Sequence, residues 1–248
     1  MVGSPSVQRL AGTLRDAGSD EPVLSVDAGL VPYASAWELQ RALVARRAAG
    51  QIPDVIVTLQ HPPVYTTGKR ADPSHVLWDA AERASRGIEL HEVDRGGNVT
   101  YHGPGQLVAY PIVRLQGLRR VVAYVRALEQ VCVRTAADFG VQAATIRGLT
   151  GVWVGRDKLV AIGVRVSSRG VTSHGLAFNV TTDLDHFRGI VPCGIPDRGV
   201  CSLRSLGVDA DVGLVRQRMQ ARFAELLGCD ITAGTLDGLV ASPVRRAT

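Results

Sequence analysis

Residues 151–166, GVWVGRDKLVAIGVRV, read as two strands folded back on each other around Gly155-Arg156-Asp157. Valine, isoleucine and tryptophan fill both arms, as a pleated and largely buried surface favours. The pattern continues downstream, where the strand from Lys158 to Ser167 reaches a second turn at Ser168-Arg169-Gly170 and a third strand runs from Val171 to Val180. Turns this short join only antiparallel neighbours. This half of the chain, with Val141 to Ile146 ahead of it, is therefore expected to form an antiparallel sheet.

Outward from that stretch, Arg120 to Phe139 is the clearest helix, with Val121, Tyr124, Val125, Leu128, Val131, Cys132, Thr135 and Phe139 at helical spacing and Gly140 beyond its end. Cys132 then belongs to the core. Earlier, Asp54 to Gln60 is a short apolar run of the kind found in buried strands, and it delivers His61-Pro62-Pro63 to the sheet edge. Pro22 to Val26 reads as a first strand and Tyr33 to Ala49 as a helix. Ala36, Leu39, Leu43 and Val44 of that helix face inward, and Arg41, Arg46 and Arg47 face solvent. On the C-terminal side a loop, Ile190 to Pro196, leads to a last helix from Asp211 to Leu227 with Val212, Val215, Met219, Phe223 and Leu226 inward. Cys229 beyond it reads as incidental. The expected fold class is α/β (α+β), with a mixed, largely antiparallel sheet and flanking helices. One domain spans 21–241, between tails at 1–20 and 242–248.

Glycine is densest in RGGNVTYH (Arg95–His102) and GPGQLVAYPIV (Gly103–Val113). Val99-Thr100-Tyr101 and Leu107 to Val113 are strand-like, and Gly103-Pro104-Gly105 turns between them, so a glycine-rich hairpin is the plain reading. Glycines also let backbone N–H groups approach a ligand closely. Neither of the familiar phosphate fingerprints is present. The segment YTTGKRADPSHVL reads as a loop that sets Lys69 and Arg70 beside a glycine, suited to an anion or carboxyl group or else simply a basic surface.

The 248 residues are 46% hydrophobic with a net charge of +5, which suits a globular protein with acidic partners. Basic residues are scattered and aromatics are only 5%, which argues against nucleic acid. No stretch approaches the ~18 apolar residues of a membrane span. The four cysteines form no C-x-x-C pair, which points to a reduced cytoplasm. No metal is expected.

Lys69 and Lys158 are the only lysines among 28 basic side chains. Lys158 is followed, two strands later, by Cys193 on a turn between Pro192 and Gly194. A thiol becomes a nucleophile when a nearby cation stabilises its thiolate, and a desolvated lysine can take and return the proton. Acyl transfer through a thioester would use such a pair, with backbone amides near Cys193, at Ala161-Ile162-Gly163 or at His174-Gly175 receiving the oxyanion. A solvated turn lysine and an inert core cysteine is the plain alternative. Histidine could instead be the base: His61, His102 and His174 each lie beside or near glycine or proline at a strand end, as pocket or surface residues. His75, His91 and His186 carry no such signal.

These motifs together resemble the lipoyl(octanoyl) transferases, relatives of the lipoate-protein and biotin-protein ligases. HPPVYTTGKR at His61–Arg70, RGGNVTYHGPGQLVAYPI at Arg95–Ile112, GVWVGRDKLVAIGVRV, SHGLAFNV at Ser173–Val180 and VPCG at Val191–Gly194 occur in the expected order. The resemblance implies a ligase-like α/β fold and transfer of an octanoyl group from octanoyl-acyl carrier protein to a lysine of a lipoyl domain. Acceptors would be the lipoyl domains of 2-oxoacid dehydrogenases and the glycine cleavage H protein. It implies no cofactor, no nucleic acid and no membrane. Cys193 matches the acyl-thioester cysteine and Lys158 its acid/base partner. Arg95, Gly96, Gly97, Asn98, Val99, Thr100, Tyr101 and His102 match a substrate-binding segment, as do Ala161, Ile162, Gly163, Gly175, Leu176 and Ala177. His61, Arg70 and His174 fall in neighbouring motif positions. Asn98 stands where glutamine or lysine is common in relatives, and the loop from Ser167 to Ser173 reads as longer than usual. An ATP-dependent lipoate ligase, or a non-catalytic binding module for acylated carrier or lipoyl domains, is the alternative reading.

Overall fold

The computed structural model describes residues 22–116, 120–192 and 198–240. Cys193 and both tails lie outside the described residues. An eight-stranded sheet runs in the order β11 (Ile231–Ala233), β1 (Val23–Leu30), β2 (Val55–Gln60), β6 (Gln106–Ile112), β10 (Thr172–Asn179), β9 (Asp157–Val166), β8 (Leu149–Val154) and β7 (Ala144–Ile146). β1 pairs in parallel with β11 and with β2, and every other neighbouring pair in this sheet is antiparallel. The sheet is thus mixed and largely antiparallel, as expected. A three-stranded sheet, β4 (Glu89–Glu92), β3 (Val64–Thr67) and β5 (Val99–His102), stands beside it.

The opening stretch folds as read. Val154 pairs with Asp157 across Gly155-Arg156, and Gly155 has the positive φ of 59° that tight hairpin turns favour. β9 then stays in register with β10 from Val160 opposite Phe178 to Val166 opposite Thr172.

Helices cover both faces of the large sheet. α3 (Val121–Ala137) and α4 (Val212–Leu227) close one core around Ile56, Leu107, Leu128, Cys132, Val160, Phe178 and Phe223. α1 (Tyr33–Ala48) closes the other over Leu43, Val57, Val108 and Tyr110. Successive residues go to opposite cores, Ile56 to one and Val57 to the next, because side chains alternate along a strand. With both faces covered, β2 has no solvated side and reads as a continuous apolar run. α4 begins where Asp211 Oδ1 accepts the Leu214 N–H at 2.7 Å and ends at Gly228 with φ 63°. Val215, Met219, Phe223 and Leu226 are its buried face. No described helix is long and apolar enough to cross a membrane.

Several local readings need correction. Tyr65, Thr66 and Thr67 belong to β3 and not to a loop, since the prolines before and the glycine after obscure a four-residue strand. β4, α2 (Ala80–Ser85), β11 and α5 (Leu236–Val240) are too short for their periodicity to register in sequence. The expected hairpin across Gly103–Gly105 does not form. β5 pairs with β3 in the small sheet, β6 pairs with β2 and β10 in the large one, and the turn carries the chain between sheets. Arg47 is not on a solvated face either. Its Nε lies 2.6 Å from Asp54 Oδ1, whose side chain is 1% exposed.

Candidate active site

A cavity of about 410 Å³ opens where β9 and β10 pass the segment Arg95–His102. β9 lines it with Lys158, Ala161, Ile162 and Gly163, and β10 with His174, Gly175, Leu176 and Ala177. Arg70, Arg95, Gly97, Asn98, Val99, Thr100 and His102 line the facing side. Three further residues from the sequence reading, Gly96, Tyr101 and His61, lie behind this lining. Alternation along β5 explains Tyr101: Thr100 and His102 face the cavity, while the Tyr101 hydroxyl turns away to His186 Nδ1 at 2.7 Å.

The glycine-rich segment is fastened to its neighbours by backbone. Gly68, Lys69 and Arg70 donate their N–H groups to the carbonyls of Asn98, Arg95 and Gly97 at 3.0–3.2 Å, and Gly96 donates to Val164 of β9 at 3.0 Å. The Arg95 side chain lies in the gap these glycines leave. Its Nη2 donates to Thr66 O at 2.7 Å and Thr66 Oγ1 at 2.8 Å. A Cβ at Gly68 would come within 2.9 Å of Arg95 Nη1, and one at Gly163 within 3.1 Å of Arg95 Cδ. Asn98 donates from Nδ2 to His75 Nδ1 at 2.9 Å, which gives His75 a supporting part that its sequence position did not signal.

Three buried histidines surround the cavity, and burial first of all holds each below the ordinary imidazole range. His61 drops to about 4, although its bond to the Val31 carbonyl opposes the shift. That carbonyl accepts at 2.7 Å, so the proton sits on Nδ1 and Tyr110 donates its hydroxyl to Nε2 at 2.7 Å. His102 donates from Nδ1 to Gln106 Oε1 at 2.8 Å, and Gln106 in turn donates to Tyr101 O at 3.1 Å and Asn179 Oδ1 at 2.9 Å. His174 sits at φ 57°, the single non-glycine residue with positive φ among those described. Its N–H donates to Gln40 Oε1 at 2.7 Å and its Nε2 to Asp94 Oδ1 at 2.8 Å. Burial alone would raise the Asp94 carboxyl, but the His174 bond and the His174 and Arg165 charges hold it below its usual range.

These depressed histidines make stability fall with acid. Between pH 6.5 and 4 the unfolded chain protonates His61 and the folded chain does not, so protons favour unfolding in that window. His61 alone should cost about 2 kcal/mol between pH 7 and 5. Urea unfolding at both pH values measures this, and His61→Gln should flatten the slope.

Lys158 is held at the cavity by several elements. Its Nζ lies 4.5 Å from the centroid of the buried Trp153 ring, which Arg198 also approaches at 5.2 Å. Its Cε passes close to Gly151, where a Cβ would lie 3.4 Å away. Gly151 is fixed in turn by Glu129, whose Oε1 accepts its N–H at 3.0 Å. The Lys158 backbone is bracketed as well: its N–H donates to Gly199 O at 3.0 Å, and its carbonyl accepts from Cys201 N–H at 3.0 Å. Asn179 Nδ2 ties down the Cys201 carbonyl at 3.0 Å. On the other side of 193–197, Val191 N–H donates to His75 O at 2.8 Å. The two chain ends flanking Cys193 are therefore pinned, one to the His75–Asn98 side of the cavity and the other to Lys158.

Ala161 and Gly163 pair with Ala177 and Gly175 of β10, and alternation directs their amides into that ladder. Ile162 differs. Val160 pairs with Val152 on the opposite edge of β9 and Val164 O accepts from Gly96 there, so the Ile162 N–H faces this edge between them. Among the sequence candidates for an oxyanion donor on these strands, Ile162 has the suitable direction. The His174 N–H is taken by Gln40.

Sequence reading missed Tyr33, Tyr110 and 148–150, which also line the cavity. Asp94 was missed as well, though a carboxylate immediately before a glycine-rich segment is a usable signal. The tyrosines gave none, since an aromatic at a helix start or in a strand is ordinarily core.

Residues 32–224 match the lipoyl protein ligase A/B catalytic domain. The octanoyltransferase of Gloeobacter violaceus is 49% identical over 220 residues, spanning 88% of this chain and 96% of the relative. That of Chloroflexus aggregans is 52% identical over 202 residues, spanning 80% and 91%. Among solved structures, a bipartite lipoate protein ligase from Thermoplasma acidophilum superposes with a TM-score of 0.70 at 18% identity, covering 90% of this chain and 91% of the other. A lipoate-protein ligase A bound with ATP gives 0.69 at 17% identity, covering 90% and 93%. At those identities the structures speak to the fold, while the two octanoyltransferases match over more than nine-tenths of their own length. The chain belongs to the lipoyl protein ligase A/B catalytic-domain family and, within it, to the octanoyltransferases, which are acyltransferases.

Proposed function

We propose that this chain carries an octanoyl group from octanoyl-acyl carrier protein to the lysine of a lipoyl domain, through a thioester on Cys193, as a step of lipoate biosynthesis in the cytoplasm. The observation that carries the reading is the bracketing of Lys158 by Gly199 and Cys201. The chain emerging from 193–197 runs directly along the lysine that lines the cavity. The described thiols offer no competitor in the cavity. Burial pushes Cys201 up to about 12 and raises Cys132 further, and Cys229 lies beyond α4, outside the cavity lining.

In the first half-reaction the Cys193 thiolate attacks the carrier's thioester carbonyl. The C–S bond to the carrier breaks, and the departing sulfur takes a proton from the Lys158 ammonium. In the second, the acceptor lysine amine attacks the octanoyl carbonyl. Lys158 accepts the amine proton as the C–N bond forms and delivers it to Cys193 as that C–S bond breaks. The Ile162 N–H suits the oxyanion of both tetrahedral intermediates. The apolar faces of Ile162, Leu176 and Ala177 suit the acyl chain.

Intact-mass measurement after incubation with octanoyl-carrier protein tests this. An octanoyl adduct is expected on the wild type and none on Cys193→Ser. ATP-dependent octanoylation or lipoylation of a lipoyl domain by Cys193→Ser would show a ligase instead.

A further inference from the structure

Trp153 is only 2% exposed, yet it belongs to none of the apolar clusters of the described residues. Its neighbours on β8, Val152 and Val154, pack into the core beneath α3 and α4, so alternation along the strand turns the indole to the opposite face. Two cations lie against it there. Lys158 pairs with Trp153 in the β8–β9 ladder, just past a register shift, and brings Nζ to 4.5 Å from the ring centroid, with the Arg198 guanidinium at 5.2 Å. The indole Nε1 is buried without a hydrogen-bond partner among the described residues. A ring needed only for its bulk would be better served by phenylalanine, which strands no donor. What tryptophan adds is the strongest ring face for a cation.

Lys158 is itself only 6% exposed, so little water competes with the ring for its ammonium. The ring quadrupole attracts an ammonium and has no such pull on a neutral amine. Under the function proposed above, on which this inference rests, the same lysine must gain and lose a proton in each half-reaction.

We propose that Trp153 is a positioning residue for that reaction. Its ring seats Lys158 as the ammonium and so favours the state in which the Cys193 proton has moved from Sγ to Lys158 Nζ, leaving the thiolate. When Nζ gives that proton to the departing sulfur the attraction ends, which frees the neutral amine to meet the acceptor's amine. Other groups act on Lys158 as well. Glu129 of α3 lies behind Gly151, Asp157 precedes the lysine on β9, Arg198 shares the ring, and Arg70, Arg95, His102 and His174 line the same cavity. Exchanging the indole alters none of these groups, so a moved titration reports the ring.

The test is the rate at which iodoacetamide alkylates Cys193 in the full chain as a function of pH, read by intact mass, with Cys193→Ser as the blank for the other three cysteines. Trp153→Leu should raise the midpoint of the alkylation profile by about 0.5–1.5 pH units, the size of a ring–ammonium attraction. Trp153→Phe, with a weaker face, should raise it by less. Fluorotryptophan in place of all three tryptophans keeps the shape and weakens the face. It should raise the midpoint too and add nothing in Trp153→Phe, which separates the effect from packing if the leucine variant does not fold. An unchanged or lowered midpoint in folded Trp153→Leu or in the fluorinated wild type overturns the proposal, whatever the melting temperature does. The octanoyl adduct on Cys193, measured in parallel, reports on the function itself. Adduct formation with an unmoved midpoint sinks the role of Trp153 alone, and a missing adduct on the wild type sinks the transferase reading.

Discussion

Lys158→Arg is expected to lower octanoyl transfer by about 10²–10⁴-fold, the usual contribution of a positioned acid/base group, with the fold intact. Arginine keeps the positive charge beside the proposed nucleophile but does not release a proton under working conditions. The surroundings favour a clean substitution in one respect, because the Trp153 ring already receives a guanidinium from Arg198 at 5.2 Å. Alkylation of Cys193 by iodoacetamide separates the two roles of the lysine. Near-wild-type alkylation with lost transfer means that the charge sustains the thiolate while the missing step is proton transfer. Near-wild-type transfer would reduce the lysine to an electrostatic role. Loss of both, with a lowered melting temperature, would trace the effect to packing against Gly151.

Gly175→Ala should destabilise the protein by about 3 kcal/mol or more, an overpacking cost at the upper end of the usual range. A Cβ there would overlap the Ala109 carbonyl oxygen of β6 and come within 2.8 Å of Pro111 Cδ. Neither neighbour can move away, since both belong to the backbone or ring of a strand held between β2 and β10. Thermal unfolding should show a drop of roughly 6–12 °C for a chain of this size. A shift under 2 °C would mean that β6 and β10 separate more easily than their register suggests. The matching change at Gly155, where a Cβ meets nothing within 4 Å, is a control for the turn conformation alone.

Much of this architecture was legible in sequence where elements were long and their burial one-sided or complete. The β8–β9–β10 meander, α3 and α4 each had a clear period, and Cys132 fell in the core as its helical spacing implied. The site was legible in its glycines and charged residues, since Arg95, Lys158 and the 161–163 and 175–177 segments converge on one cavity. What escaped was long-range pairing. Nothing local distinguishes Gly103–Gly105 as a passage between sheets from the same residues as a hairpin turn, because both need a tight turn between two strands. Asp94, Gln40 and Arg165 escaped for a related reason: each acts through His174 or beside it, and only the folded chain brings α1, β9 and the end of β4 to that histidine.

The parallel pairing of Val23 with Ile231 joins the two ends of the described chain in one sheet. During synthesis the outer edge of β1 therefore stays open until residues 231–233 leave the ribosome, long after β2 has formed its inner edge. Open strand edges recruit other chains. A nascent chain stalled anywhere between α1 and α4 should thus be more prone to self-association than the finished protein. By the same pairing, truncation ahead of Ile231 should harm solubility before it harms the cavity, which lies on the far side of β6.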